Sequence, residues 1–276
     1  MVVFSDITAR KARERELQQR IDSLDWVHRT REALVCDRLV LFAQPIVGLA
    51  SGNTSHFELL LRMRDERGGL IQPCEFLPAC EQHGLITEVD RWVIRSGLAV
   101  AATGRQVSLN LSAASATSRE TVTWFQRELA ECGADPRLVT VELTETALVE
   151  DAEAAQQVVE AITRLGCSFA LDDFGTGFGG FTYMKRLPVD YLKIDIEFVR
   201  DLVHNKASQN VVKSIVSLAG DFGQRTIAEG VEGEATLELL REYGVDYAQG
   251  YLLGRPRPLA EALQRATPRH PAPIPG

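Results

Sequence analysis

An α/β architecture, with a closed TIM-like (β/α)8 barrel as the leading arrangement, is what this 276-residue sequence predicts. Short apolar segments of strand length recur eight times after Leu39, and most are separated by stretches whose apolar positions are spaced by three and four. A doubly wound open sheet is the second choice, and neither of its nucleotide fingerprints is present. No GxGxxG follows the first segment, and the glycines from Gly175 to Gly180 lack the lysine of a phosphate-binding P-loop.

Taken in order, the chain begins with charged residues interleaved with Leu17, Ile21, Leu24 and Val27. This pattern predicts an amphipathic helix from Asp6 to about Leu34, capped at Ser5 or Asp6. The stripe lasts about two heptads and ends at Trp26, which suits either a short parallel coiled coil or a lone helix packed on the body. Strands are expected over Leu39–Val47, His56–Met63, Gln106–Ser112, Leu138–Thr144, Ser168–Phe174, Tyr191–Ile194, Arg225–Val231 and Tyr247–Leu253. Helices are expected over Thr87–Val100, Thr121–Cys132, Ala152–Leu165, Ala207–Gly220 and Ala235–Tyr243. The proline-rich end, residues 267–276, reads as a disordered tail.

Composition narrows the function. A net charge of -8 argues against a nucleic-acid polymer as partner, because tracking a phosphate backbone takes a basic face. It leaves room for a small anionic substrate whose charge is met locally by metal ions. The five cysteines are scattered, without CxxC spacing or histidine partners, as expected of reduced thiols in a cytoplasm. No apolar run approaches the ~20 residues of a membrane span, and the charges after Phe4 do not suit a signal peptide. No membrane contact is expected from this chain; an anchor would lie in a longer parent protein.

The chemistry concentrates where strands end. Asp172-Asp173-Phe174-Gly175-Thr176-Gly177 follows an apolar run and opens into a glycine-rich loop. Adjacent side chains on a strand point to opposite faces, so both aspartates reach one site only where the backbone twists out of the strand. Taken alone, the stretch is as readily an acidic turn as a metal site. In a barrel, however, the carboxyl ends of the strands carry the site. Those ends bring Gln44, Glu58, Asn110, Glu142, Asp172 with Asp173, Lys193, Glu229 and Gln249 into one register. Burying four or more carboxylates together is prohibitive unless cations neutralise them. The donors are oxygen and no histidine is among them, which selects magnesium or manganese over zinc. Two such ions suit hydrolysis of a phosphoryl ester. Lys193 would orient or deprotonate the water, balance phosphate charge, or serve as a structural ion pair. An enolase-like metal lyase also gathers carboxylates and a lysine, but the adjacent Asp172-Asp173 pair and the lack of a capping domain speak against it.

These residues together resemble the EAL family of cyclic di-GMP phosphodiesterases, from about Arg38 to Ala266. The matching runs are Gln44-Pro45, Glu58-Leu59-Leu60-Leu61-Arg62, Leu109-Asn110-Leu111, Glu142-Leu143-Thr144-Glu145, the Asp172-Asp173 stretch, Leu192-Lys193-Ile194-Asp195, Ala228-Glu229-Gly230-Val231-Glu232 and Gln249-Gly250-Tyr251. The resemblance implies a TIM-like barrel whose first strand is antiparallel. It implies two magnesium or manganese ions held by Glu58, Asn110, Glu142, Asp172 and Asp173, with Glu229 completing the site directly or through water. Lys193 would contact the nucleophilic water, Gln44 and Arg62 would hold the substrate, and Gln249 would lie near the water and the phosphate. Glu145 would brace the loop after Asp173 and Glu232 its own loop, with Asp195 supporting from behind Lys193. The implied reaction opens cyclic di-GMP to linear pGpG, in a homodimer joined by helices beside the fifth and sixth strands. A catalytically silent cyclic di-GMP receptor is the alternative; such members generally lack ligands that are all present here.

Residues 1–37 form a separate segment in this reading. Val2-Val3-Phe4-Ser5-Asp6-Ile7-Thr8 resembles the closing strand of a PAS sensor domain running into a signalling helix, implying an upstream sensor. Two departures from the family pattern stand out. Leu59 replaces the signature alanine without touching Glu58 or Arg62. Phe178-Gly179-Gly180-Phe181 replaces the usual Tyr-Ser-Ser-Leu, losing two hydroxyls and adding two glycines, so this loop is expected to be mobile.

Overall fold

The structure, a computed structural model, describes residues 2–175 and 186–265. It falls into two compact units, one of Met1–Val40 with Leu61–Trp92 and one of Leu41–Leu60 with Val93–Gly276. All eight expected segments are strands: β1 (Leu39–Gly48), β2 (Thr54–Arg64), β4 (Val107–Asn110), β5 (Val139–Thr144), β6 (Ser168–Phe174), β7 (Tyr191–Ile194), β8 (Arg225–Ala228) and β9 (Tyr247–Ala248). Two short strands that carry little sequence signal, β3 (Leu70–Ile71) and β10 (Arg257–Pro258), add to the edges.

The larger unit is a barrel. Its strands run in the order β1-β9-β8-β7-β6-β5-β4-β2, and pairing of β2 with β1 closes the ring. Neighbours from β2 through β9 are parallel, as in Phe57↔Val107, Val107↔Val139, Val141↔Phe169 and Lys193↔Ile227. β1 is the exception and runs antiparallel to β9, with Val47 opposite Ala248. That is the arrangement the resemblance implies.

The five expected helices form within two residues of their expected ends: α3 (Ile86–Ala101), α5 (Arg119–Cys132), α7 (Ala152–Arg164), α9 (Lys206–Asp221) and α10 (Glu234–Glu242). Local chemistry sets several of these ends. The Asp151 carboxylate accepts from the Ala154 N–H to start α7, the Asn205 side chain accepts from the N–H groups of Ala207 and Ser208 to start α9, and Gly133 ends α5 at φ 68°. Short helices α4 (Ala113–Ala116), α6 (Ala147–Glu150), α8 (Ile196–Arg200) and α11 (Leu259–Arg265) complete the larger unit.

β4 stops two residues before its expected end, at Asn110, and β8 and β9 also stop earlier than the apolar runs suggest, at Ala228 and Ala248. The residues beyond β8 and β9 bond to each other above the barrel, Val231 N–H to the Gln249 carbonyl and Leu252 N–H to the Val231 carbonyl. Val231 is fully buried, so the apolar character there serves packing of the rim. At the other end of the barrel His56, Tyr191 and Tyr247 stack with ring centroids 5.9–6.0 Å apart, and the Arg225 guanidinium lies 4.9 Å over Tyr191. Burial holds His56 neutral, with its pKa down at about 4 and the charges of Lys193 and Arg225 adding to the effect.

In the smaller unit, α1 (Val2–Val35) packs against α2 (Pro73–Gln82). Val27, Thr30 and Ala33 are buried on that face, and Ser23 Oγ donates to Gln82 Oε1 at 3.1 Å. The strand expected over Val2–Thr8 is helical, because it continues α1. A lone strand there would leave its backbone groups unpaired, whereas extending the helix satisfies them within the segment. α1 falls in one unit with residues 61–92.

Gly250 is where the rim admits no side chain, since a Cβ there would overlap the backbone nitrogen and oxygen of Val231. Gly250→Ala should lower stability by about 1–3 kcal/mol. An unchanged urea midpoint would contradict this packing.

Candidate active site

The barrel strands deliver the polar residues to one mouth. β6 does so by breaking its own register: Leu171 pairs with Leu192, yet pairing resumes at Phe174 with Ile194, so β6 carries one extra residue. Asp173 takes up the bulge at φ 55°, a left-handed conformation that aspartate tolerates better than most residues. The twist turns both carboxylates to one side. Oxygens of Asp172, Asp173 and Glu229 come within 4.8 Å of one another.

Lys193, at the end of β7 and 1% exposed, sits amid these groups. Its Nζ lies 2.6 Å from Glu142, 2.8 Å from Glu229, 3.1 Å from Asp172 and 3.8 Å from Glu58. A second network runs through the amides. Asn110 Nδ2 donates to Glu58 Oε1 at 2.8 Å, and Gln249 Nε2 donates to Glu58 Oε2 at 2.7 Å and to Gln44 Oε1 at 3.0 Å. Gln44 Nε2 in turn donates to the Gly254 carbonyl at 3.0 Å. Sequence reasoning missed that carbonyl, since a backbone acceptor leaves no mark in residue type. Eight of the expected residues thus form two connected networks, and Asp173 joins them beside Asp172 and Glu229.

The remaining expected residues are placed differently. Glu145 is buried, and its N–H donates to the Asp172 carbonyl at 3.1 Å, tying β5 to the end of β6. Asp195 caps α8 by accepting from the Glu197 N–H at 2.6 Å, and its carboxyl also hydrogen-bonds Asp173. Glu232 is exposed. Arg62 belongs to the smaller unit, where Nη1 donates to the Leu61 carbonyl at 2.7 Å. Phe178–Phe181, and with them the bracing role expected of Glu145, lie outside the described residues.

With every group ionised, five carboxylates (Glu58, Glu142, Asp172, Asp173, Glu229) clustered with one ammonium leave 5 − 1 = 4 negative charges, the amount two divalent cations carry. That excess shifts the pKa values of the groups themselves. Burial, reinforced by neighbouring carboxylates, pushes Glu142 and Glu229 up to about 8 against the pull of Lys193. Asp173 rises to about 6, first through burial and then through Asp172 and the Asp195 hydrogen bond. Burial works against the Lys193 charge, but Asp172, Glu142, Glu229 and Glu58 outweigh it and raise its pKa well above the ordinary value. Glu142 Oε1 and Gln249 Oε1 are buried without a hydrogen-bond partner among the described residues. An orphaned buried carboxylate oxygen within an all-oxygen cluster fits a hard cation.

The sequence matches a family model: the EAL domain, over residues 28–256. The chain belongs to the EAL domain family. It is 34% identical over 260 residues to the cyclic di-GMP phosphodiesterase PdeB of Shewanella oneidensis, covering 92% of this chain and 30% of that protein. It is 35% identical over 261 residues to the cyclic di-GMP phosphodiesterase PdeF of Escherichia coli, covering 92% and 34%. The chain thus spans about a third of the length of these curated relatives. Among solved structures, the PaMucR phosphodiesterase in complex with c-di-GMP superposes with a TM-score of 0.82 at 34% identity, covering 86% of this chain and 99% of that one. The FimX EAL domain of Pseudomonas aeruginosa bound to c-di-GMP gives 0.80 at 28% identity, covering 84% and 96%.

For this EAL domain without metal, the raised carboxyls set a pH dependence. Between pH 6.5 and 8 the unfolded chain has released the Glu142 and Glu229 protons while the folded chain keeps them, so stability falls as pH rises. His56, folded at about 4, acts with the opposite sign only below 6.5. Urea unfolding in a chelator should therefore lose on the order of 1 kcal/mol per pH unit across this window, and millimolar Mn2+ should restore it. A flat profile would contradict the carboxylate strain. Lys193→Met in chelator should cost roughly 3 kcal/mol or more at pH 8 and less at pH 5, where the carboxyls are protonated. Its stabilisation by Mn2+ should exceed that of wild type.

Proposed function

We propose that this EAL domain hydrolyses one phosphodiester of cyclic di-GMP to give linear pGpG, using two magnesium or manganese ions. The observation that carries this reading is the bulge at Asp172-Asp173, which assembles an uncompensated carboxylate cluster around a buried lysine at the mouth of a barrel. Glu58, Asn110, Glu142, Asp172, Asp173 and Glu229 would hold the ions. When bound, two divalent cations activate water and stabilise the leaving oxygen of a phosphoryl ester. The relatives PdeB and PdeF, named as cyclic di-GMP phosphodiesterases, support the substrate and the reaction.

The chain's own residues then divide the work. Lys193, kept protonated by four carboxylates, orients the attacking water and balances phosphate charge; an ammonium held this firmly does not take the proton. Asp173 and Glu229, clustered with Asp172 beside Lys193, are the acceptors of the water proton. Gln44 and Gln249, already aligned on each other and on the Gly254 carbonyl, hold the substrate with little reorganisation, and Arg62 adds a phosphate contact. Glu145, Asp195 and Glu232 support the loops that carry these groups. A cytoplasmic setting, a homodimer and an upstream sensor domain complete the reading. Five unpaired thiols and the third of a relative's length spanned by the chain support it.

Chromatography of the products formed from cyclic di-GMP with Mn2+ tests the proposal. Wild type should accumulate pGpG, and Glu58→Ala and Lys193→Ala should each lose about a hundredfold or more in rate. Equal turnover in all three would overturn the assigned site. Tight binding with no turnover under either metal would make the chain a receptor.

A further inference from the structure

The turn that follows Gln249 carries two side chains that neither the barrel core nor the acid cluster uses. Its backbone is clamped to the rim. Leu252 N–H donates to the Val231 carbonyl, Gly254 N–H donates to the Gly250 carbonyl, and the Gly254 carbonyl accepts from Gln44 Nε2. A Cβ at Gly254 would overlap the Pro45 ring, so the turn is pressed onto the Gln44-Pro45 stretch of β1. On this fixed base Tyr251 and Arg255 are both exposed, and the Arg255 guanidinium lies 4.1 Å over the Tyr251 ring. Arg255 makes no hydrogen bond or ion pair among the described residues, so its N–H donors are free while the ring holds the plane of the guanidinium. Pro256 adds rigidity by restricting the Arg255 backbone to extended conformations.

We propose that Arg255 reads the edge of one guanine of the substrate, donating to its O6 and N7, with Tyr251 fixing the plane of the fork. The inference rests on cyclic di-GMP being the ligand. Side-chain contacts lead outward from the acids, Glu58 to Gln249, Gln249 to Gln44 and Gln44 to the Gly254 carbonyl, from buried groups to a partly exposed one. Arg255 is the next residue along. When a phosphodiester is engaged at the acids, the bases attached to its sugars lie away from them, toward the rim where Arg255 stands. The rigid fork of a guanidinium matches two acceptors side by side, which guanine presents as O6 and N7. Adenine keeps N7 but carries an amino donor in place of O6, so donor would face donor. The contact therefore selects guanine as well as adding affinity, and a fork already held in plane loses little freedom in making it.

Steady-state kinetics on cyclic di-GMP with Mn2+, with cyclic di-AMP as a competing inhibitor, test this. Arg255→Ala should raise KM for cyclic di-GMP about tenfold or more and shift the inhibition constant of cyclic di-AMP by less than about threefold. Its kcat should stay within about threefold of wild type, because the contact is made equally in the ground and transition states. Arg255→Lys should fare little better than alanine, since a point charge lacks the fork. Tyr251→Phe should match wild type, and Tyr251→Leu should raise KM part of the way. Thermal melts of all four should match wild type, because both side chains are exposed. An unchanged KM in Arg255→Ala would overturn the inference. Equal weakening of both dinucleotides, recovered by Arg255→Lys, would also overturn it and make Arg255 a phosphate contact. Should wild type bind cyclic di-GMP without turnover, hydrolysis fails as the function. The same fold-changes, read as dissociation constants by calorimetry with Mn2+, then decide the role of Arg255.

Discussion

The structure depends above all on one buried ammonium. Lys193 lies at the centre of a ring of carboxylates that the barrel would otherwise be unable to hold together. Removing charge from water is expensive, and a single lysine offsets only part of the cost of five acids. The remainder appears as carboxyls that hold their protons far above the usual range and as a buried Glu142 oxygen with no partner among the described residues. A site built this way is under-compensated as protein alone. That property suits it to the two divalent cations of the proposed function, in which stability and metal affinity are two readings of the same charge balance.

The barrel supplies the geometry that makes the cluster possible. Parallel strands end at one level, so residues 51 and 205 positions apart arrive within hydrogen-bonding distance, Glu142 with Lys193 and Gln44 with Gln249. The antiparallel β1 matters here. It brings Gln44 to the same mouth from the opposite direction, beside the Gly254 carbonyl that orients it. The bulge in β6 then adds what a regular strand cannot, two consecutive carboxylates on one side. At the far end of the barrel His56, Tyr191 and Tyr247 pack ring against ring, with the Arg225 guanidinium over Tyr191.

The two units divide the polar groups unequally. The metal-directed acids, Lys193 and both glutamines belong to the larger one, while Arg62 and the long helix α1 belong to the smaller.

Much of this was legible from residue order. The eight strands follow from short apolar runs, the five main helices from spacing by three and four, and the polar cluster at the mouth from oxygen-bearing residues recurring at strand ends. Each is a local signal that periodicity or side-chain type encodes directly. The Asp172-Asp173 pair announced that the backbone had to twist, because two neighbours on a regular strand cannot share a site. Tertiary structure decided the rest. The ends of β8 and β9 fall short of their apolar runs because rim residues such as Val231 are apolar for packing. The Gly254 carbonyl on Gln44 has no side chain to betray it. The first residues of α1 are helical where their composition suggested a strand, since a strand needs a neighbour and a helix supplies its own hydrogen bonds. Residue types determined which groups the site contains. Only the closed barrel determined that a single lysine stands among five acids, because charge balance depends on distances that sequence separation does not record.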